Sequence, residues 1–391
     1  MLINLNPTVP MRALLAGARR KERALLELTQ QFVRAESPSD EKAAVDGCVE
    51  LVAAQAKSLG GRVKLHRQRQ FGDVLEARFG AKSRAKSRDE SVGRVLLLGH
   101  LDTVWPLGTL KTMPCRLSDS RLWGPGTLDM KAGVAMALTA LEMLAEADLL
   151  GNEIVLLLNS DEEVGSPISR SITEKLAGEC GAVYVLEPAQ GLACKTARKG
   201  TGNWRIDVKG VAAHAGVDFE KGANALLELA RAVQTVSGWT DLKRGLTVSV
   251  GVAGGGAKLN VIPAEAWAEV DVRIAHMADG PRMERKFANL KAVDKRCTLT
   301  VTGRINRPPM ERLRGTVRLY QKARALAAEL GFTLDEASTG GASDGNFTSA
   351  LGIPTLDGLG AVGEGAHARH ESIVVEHLAP RTALLAGLLA G

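Results

Sequence analysis

Four short stretches of this chain combine residue types that can bind a divalent metal or move a proton. His100-Leu101-Asp102 sets an imidazole two residues from a carboxylate. Asp129 closes a glycine-rich loop, WGPGTLD at 123–129. Asp161-Glu162-Glu163 and Glu187-Pro188 add further carboxylates. Each stretch alone has an ordinary structural use. A His-x-Asp pair is most often a hydrogen bond, an acidic pair is usually a solvated helix start, and a lone aspartate before a helix is an N-cap. Taken together they make one chemistry. Imidazole and carboxylates without a thiolate suit Zn²⁺, Co²⁺ or Mn²⁺. Several carboxylates suit two ions roughly 3.5–4 Å apart that share one aspartate.

Where the stretches fall strengthens this. Val95–Leu98, Ile154–Leu158 and Ala182–Leu186 are continuous apolar runs, the mark of strands buried on both faces. They run into His100, Asp161 and Glu187. Sites in open α/β sheets form at the carboxyl ends of such strands. Residues two apart on a strand share a face, so Asp102 is expected to accept the second ring N–H of His100 and hold its tautomer.

The remaining elements follow from periodicity. A helix is expected over 11–36, with Leu25, Leu28 and Phe32 on one face. Ser37-Pro38-Ser39-Asp40 stops it and caps a second helix over 41–59. Strands are expected near 62–67 and 73–79, and a polar basic loop lies between Gly80 and Gly93. Helices near 130–147 and 167–177 alternate with the buried strands, which predicts an α/β domain with a mostly parallel sheet. From about 198 the texture becomes strand 203–208, helix 222–237, strands 246–252 and 266–274, helix 281–293 and strand 298–302, a compact α+β insert. A helix at 313–330 and a strand near 353–356 resume the first domain.

The chain has 391 residues, 45% hydrophobic and 24% charged. That excludes a mostly disordered chain, a collagen, a coiled coil or a disulfide miniprotein. Aromatics at 4% argue against a stacking platform for nucleic acid, and a net charge of +6 is spread along the chain. No run spans a membrane. The five cysteines form no C-x-x-C pair and read as free thiols, and the first residues do not read as a secretion signal. A cytoplasmic protein without nucleic-acid or membrane partners is expected. Two apparent motifs are rejected. Gly341–Gly345 (GASDG) follows a polar run rather than the buried strand a serine nucleophile needs. Gly251–Gly256 with Lys258 lacks the ending of a P-loop and reads as a turn.

His100-Leu101-Asp102, the segment Gly124–Gly133, Asp161-Glu162-Glu163 with Gly165-Ser166, and Glu187-Pro188 resemble the M20 family of dinuclear zinc peptidases and deacylases over nearly the whole chain. The glutamate carboxypeptidase branch is the most similar. The resemblance implies a catalytic domain at 1–197 and 311–391, interrupted by a lid and dimerisation domain at 198–310. It implies two divalent ions per chain. Asp129 would bridge them, His100 and Glu187 would complete one site, and Glu163 and a late histidine the other. His367 in the H-x-x-x-E pattern 367–371 fits that histidine, with His370 as the alternative. Asp102 would be the orienting partner and Glu162 the general base. His214 in Val211–Gly216 resembles a lid histidine that acts in the partner subunit's site of a homodimer. Asn260 and Arg273 resemble lid residues that hold a substrate carboxylate, and Lys195 resembles a substrate-side lysine. The implied reaction is cleavage of an amide beside a free carboxylate, or deacylation of an N-acyl amino acid.

Overall fold

The computed structural model describes residues 10–80 and 93–390. The loop expected at 81–92 lies outside the described residues. The chain divides into two units: residues 1–196, 312–338 and 343–391 form the first, and 197–311 with 339–342 the second.

In chain order the first unit holds α1 (Met11–Arg34), α2 (Lys42–Ser58), β1 (Arg62–His66), β2 (Val74–Phe79), β3 (Arg94–His100), β4 (Arg116–Ser118), β5 (Arg121–Trp123), α3 (Ala132–Glu146), β6 (Glu153–Asn159), α4 (Arg170–Ala177), β7 (Ala182–Val185) and β8 (Cys194–Arg198), the last crossing into the second unit. The second holds β9 (Gly200–Lys209), α5 (Ala225–Ser237), β10 (Thr247–Gly255), β11 (Glu265–Ile274), α6 (Asp279–Ala288) and β12 (Thr298–Arg307). The chain then continues with α7 (Arg314–Glu329), β13 (Glu336–Thr339), α8 (Gly345–Ala350), β14 (Thr355–Leu356), β15 (Gly363–Glu364), β16 (Ser372–Val374) and α9 (Leu378–Leu389).

The main sheet runs β1-β2-β6-β3-β7-β14. β6, β3, β7 and β14 are mutually parallel, and β1-β2 is an antiparallel edge pair. The apolar runs behave as their composition requires: Leu96, Leu97, Leu98 and Ile154–Leu158 are fully buried. Because β3 lies between two parallel partners, the three strand ends that carry chemistry emerge on one edge, with His100 opposite Asn159 and Leu98 opposite Val185. The second unit is a four-stranded antiparallel sheet, β10-β11-β9-β12, with a core that includes Trp204 stacked on Phe287 at 4.3 Å.

Some expectations change. Ser37–Asp40 does not cap α2, whose first residue follows Glu41 without a side-chain cap. The Ser37 hydroxyl donates to the Leu101 carbonyl and the Ser39 hydroxyl to Asp102, because both serines are buried against the end of β3. Gly251–Gly255 is not a turn but the end of β10, paired with β11 past a bulge between Val250 and Val252. α6 stops at Ala288, and Glu228 of α5 accepts the Val293 and Asp294 N–H groups beyond it. The polar run before Gly341 is a short, incompletely buried strand, β13, and Ser343 is buried with its hydroxyl on Asp357, no position for a nucleophile. α9 was not foreseen at all: nearly every one of its residues is buried, so it carries no amphipathic stripe.

Candidate metal centre

Two clusters of ligand atoms lie at the sheet edge and share Asp129. In the first, His100 Nε2 is 3.2 Å from Asp129 Oδ1 and 3.6 Å from Glu187 Oε1. In the second, His367 Nε2 is 3.4 Å from Asp129 Oδ2 and 3.2 Å from Glu163 Oε2. The five residues that sequence reasoning singled out as ligands therefore converge, one carboxylate oxygen of Asp129 facing each cluster. His370 belongs to neither cluster. His100 is the last residue of β3 and is buried. Glu187 follows β7, and Glu163 stands in a 3₁₀ turn, Glu162–Val164, just past β6. His367 has a left-handed backbone, φ 61°, and its side chain is 52% exposed.

Asp129 is not a helix N-cap. It lies within a π-helical turn, Thr127–Lys131, that leads into α3 with non-helical torsions at Asp129 and Met130. Two glycines make the turn possible. Gly126 has φ +69°, and a Cβ there would meet the Thr103 methyl at 2.6 Å. At Gly133 a Cβ would lie 2.2 Å from the Leu186 carbonyl. Only glycine lets the first turn of α3 approach the segment that carries Glu187.

The Asp102 expectation needs correction. His100 Nδ1 lies 2.9 Å from the Asp102 carbonyl oxygen and 3.5 Å from its carboxylate. β3 ends at His100, so strand alternation no longer governs Asp102. Its carboxylate instead accepts the Ser39 hydroxyl at 2.7 Å and the backbone N–H groups of Glu162 and Glu163 at 3.2 and 3.1 Å. Asp102 thus orients the imidazole through its main chain and anchors the Glu162–Glu163 turn through its side chain.

The electrostatics are those of a donor set short of positive charge. Burial alone would lower the His100 imidazole, but the Asp102 and Asp129 carboxylates hold it well above its ordinary value. Contact with Asp129 and Glu163 pushes His367 up to about 10. Burial would raise Asp129, yet the two imidazoles hold it low, while burial prevails at Glu163 and raises it. Glu163 Oε1 is buried with no hydrogen-bond donor among the described residues. An orphaned carboxylate oxygen beside imidazoles that must serve as counter-cations is what a divalent ion would satisfy.

The other expected site residues divide between the units. Glu162 is buried in the turn beside Glu163. Lys195 is buried in β8, its N–H donating to the Asp357 carbonyl at 2.7 Å. In the second unit, His214 is exposed, and its Nδ1 accepts the N–H groups of Gly216 and Val217, both at 3.1 Å. Asn260 lies in the turn between β10 and β11, and its carbonyl accepts the Ala215 N–H at 3.0 Å. Arg273, on β11, grips Asp271 through Nε and Nη2, both at 2.9 Å. Sequence reasoning missed two contributors. Ser39 stands in a stretch with the composition of a helix cap but donates its hydroxyl to Asp102. Glu371 is buried and accepts four donors, and its place four residues after His367 was the signal available.

The sequence model of peptidase family M20/M25/M40 matches residues 96–391. Carboxypeptidase G2 of Pseudomonas sp. (strain RS-16) is 29% identical over 384 residues, covering 96% of this chain and 91% of that protein. Succinyl-diaminopimelate desuccinylase of Stenotrophomonas maltophilia (strain R551-3) is 28% identical, covering 91% of this chain and 95% of that protein. The crystal structure of aminopeptidase PepT from Bacillus cereus ATCC 10987 matches with a TM-score of 0.80 at 21% identity, over 94% of this chain and 98% of that one.

Proposed function

The chain belongs to peptidase family M20/M25/M40, and from that premise we propose a metal-dependent hydrolase that cuts an amide bond beside a free carboxylate, in the manner of a glutamate carboxypeptidase. The observation that carries the reading is Asp129 set between two ligand clusters, with Glu162 on the turn that presents Glu163. His100, Asp129 and Glu187 would hold one divalent ion, and Asp129, Glu163 and His367 the other. The donor set suits Zn²⁺, with Co²⁺ or Mn²⁺ as substitutes. When bound, the ions supply Lewis acidity toward the amide carbonyl and acidify a water.

The chain's own residues do the rest. Glu162 removes the proton of the attacking water and returns it to the leaving amine. Asp102 keeps Glu162 in place through the Glu162 and Glu163 N–H groups. Two N–H donors on His214 Nδ1 force the ring proton onto Nε2, which makes Nε2–H a donor suited to a developing oxyanion. We assign that role to His214 in the partner subunit's site of a homodimer formed through residues 198–310. Arg273 and Asn260 would receive the substrate carboxylate, and Asp271 is the group a substrate must displace from Arg273. Lys195 would face a second acidic group.

Among the described residues no helix is long and apolar enough to cross a membrane. The five cysteines are all free, which supports a cytoplasmic setting.

A second reading, an N-acyl amino acid deacylase of the acetylornithine deacetylase or desuccinylase type, is supported by the full-length similarity to a desuccinylase. One panel separates the two: acyl-glutamates, acyl-ornithines and succinylated amines assayed with the metal-replenished enzyme. The first reading expects acyl-glutamate to lead. It also expects the α-methyl ester to lose roughly 10–150-fold in kcat/KM, the worth of one charge-assisted hydrogen bond. Equal turnover of acid and ester overturns carboxylate recognition, and a lead for acyl-ornithine or a succinylated amine favours the deacylase.

A further inference from the structure

One buried carboxylate stands behind three of the segments that carry candidate ligands. Glu371 is fully buried. Its Oε1 accepts the N–H groups of Leu128 and Asp129 at 2.8 and 3.0 Å. Its Oε2 accepts the Gly126 N–H at 2.9 Å and the Trp105 indole N–H at 2.8 Å. Four donors meet a carboxylate that has about four acceptor positions. Among the described residues Glu371 makes no ion pair, and burial pushes its carboxyl above the ordinary carboxylate range against these four donors.

The segments it joins are the ones that matter. Trp105 is five residues past His100. Gly126, Leu128 and Asp129 belong to the turn that presents the shared aspartate. Glu371 itself is four residues past His367, and its carbonyl accepts the Gly124 N–H at 3.3 Å. Beyond it, Ser372–Val374 pairs with Arg121–Trp123, the strand that leads into the Asp129 turn. His367 needs such an anchor. It is half-exposed, its backbone is left-handed, and no helix or strand contains it. His100 and Glu187, by contrast, are placed by adjacent parallel strands.

We propose that Glu371 is the positioning residue of the Asp129–Glu163–His367 site, its carboxylate fastening the Asp129 turn to the His367 loop so that this pair of ligands is assembled before an ion arrives. The proposal rests on the two-ion reading given above. In that site both Asp129 and His367 depend on this fastening for their placement, whereas in the His100–Asp129–Glu187 site His100 and Glu187 are already placed by parallel strands and only Asp129 depends on it. Its loss therefore falls mainly on one ion.

The test uses Glu371→Gln in the full chain. The amide keeps the shape, but whichever way it turns, its NH₂ faces two of the four donors. The metal-free protein is titrated with Co²⁺ by calorimetry and visible absorption, and its thermal unfolding is followed in parallel. Wild type should take up two ions in distinguishable steps. In E371Q the weaker step should lose about 10–100-fold in affinity, the range for groups that orient metal ligands, and the tighter step less than about threefold. Leu384→Ala, a core change in α9 that lowers the unfolding temperature, should leave the ratio of the two affinities unchanged. If E371Q does not fold, Trp105→Phe removes one donor and should weaken the same step by about 2–10-fold, the worth of a single hydrogen bond. Unchanged steps in E371Q, or in W105F where E371Q cannot be made, overturn the proposal, as does an equal change in ratio in L384A. Two unchanged steps leave the two-ion reading standing. A wild-type chain that takes up one ion overturns both.

Discussion

The two ligand clusters use the same donor types and one common aspartate, yet they are built in opposite ways. The His100–Asp129–Glu187 cluster draws two ligands from the ends of adjacent parallel strands. The ladder that pairs Leu98 with Val185 fixes both before any side chain is considered. The Asp129–Glu163–His367 cluster draws its ligands from a 3₁₀ turn and a left-handed loop position, each held from behind by a buried carboxylate: Asp102 under Glu163, Glu371 under Asp129 and the His367 loop. His100 is 1% exposed and His367 52%. Regular structure thus supplies one site, and side-chain hydrogen bonds supply the other. The first should bind its ion tightly. The second should exchange its ion more readily and stand closer to incoming substrate.

The largest effect expected is that of Asp129→Ala. It removes the residue both clusters share, so both binding steps should disappear and turnover should fall to that of the chelated enzyme. Retention of a normal tight step would show that the clusters do not depend on a common ligand. Glu162→Gln should act differently, leaving both steps in place and lowering kcat by about 10²–10⁴-fold, because the amide cannot take the proton. Near-normal kcat would remove Glu162 from the mechanism. His367→Ala should erase only the weaker step, and loss of both would mean that the asymmetry is misdrawn.

The pH dependence sharpens the same contrast. His367 is pushed up to about 10 by its carboxylate neighbours, so below that pH its ring carries a proton that an ion must displace. Apparent affinity at the weaker step should therefore rise by about tenfold per pH unit through the neutral range and fall on acidification. A pH-independent weaker step would exclude His367 as its ligand. The smallest effect expected is Ser39→Ala, which removes one of three donors to Asp102 and should cost about 0.5–1.5 kcal/mol of stability with both steps kept.

What was legible in the sequence follows the same division. The buried strands announce themselves as apolar runs, and the candidate ligands at their ends come together because strand ends on a parallel sheet converge. The Asp129 turn was legible only as a loop before a helix. The hydrogen bonds that shape it are accepted by Glu371, which also receives the Trp105 indole N–H, and both residues are far from the turn in sequence. Strand alternation assigns the Asp102 carboxylate to His100, but the strand ends at His100, two residues before Asp102, so the rule does not reach it. Ser37–Asp40 carried the composition of a helix cap and is used instead against Leu101 and Asp102. α9 was missed because burial on every side removes the stripe that marks a helix, and strands of two or three residues such as β15 and β16 are too short to show a pattern.

The most direct test of the account is the metal content of wild type and His367→Ala after reconstitution with Zn²⁺ and dialysis at a graded series of free-zinc concentrations. The account predicts two ions per wild-type chain at high free zinc, the more labile one leaving first as free zinc falls. It predicts one ion per His367→Ala chain, held as tightly as the tighter ion of wild type. A wild-type plateau at one ion, or a His367→Ala chain that still holds two, would contradict it.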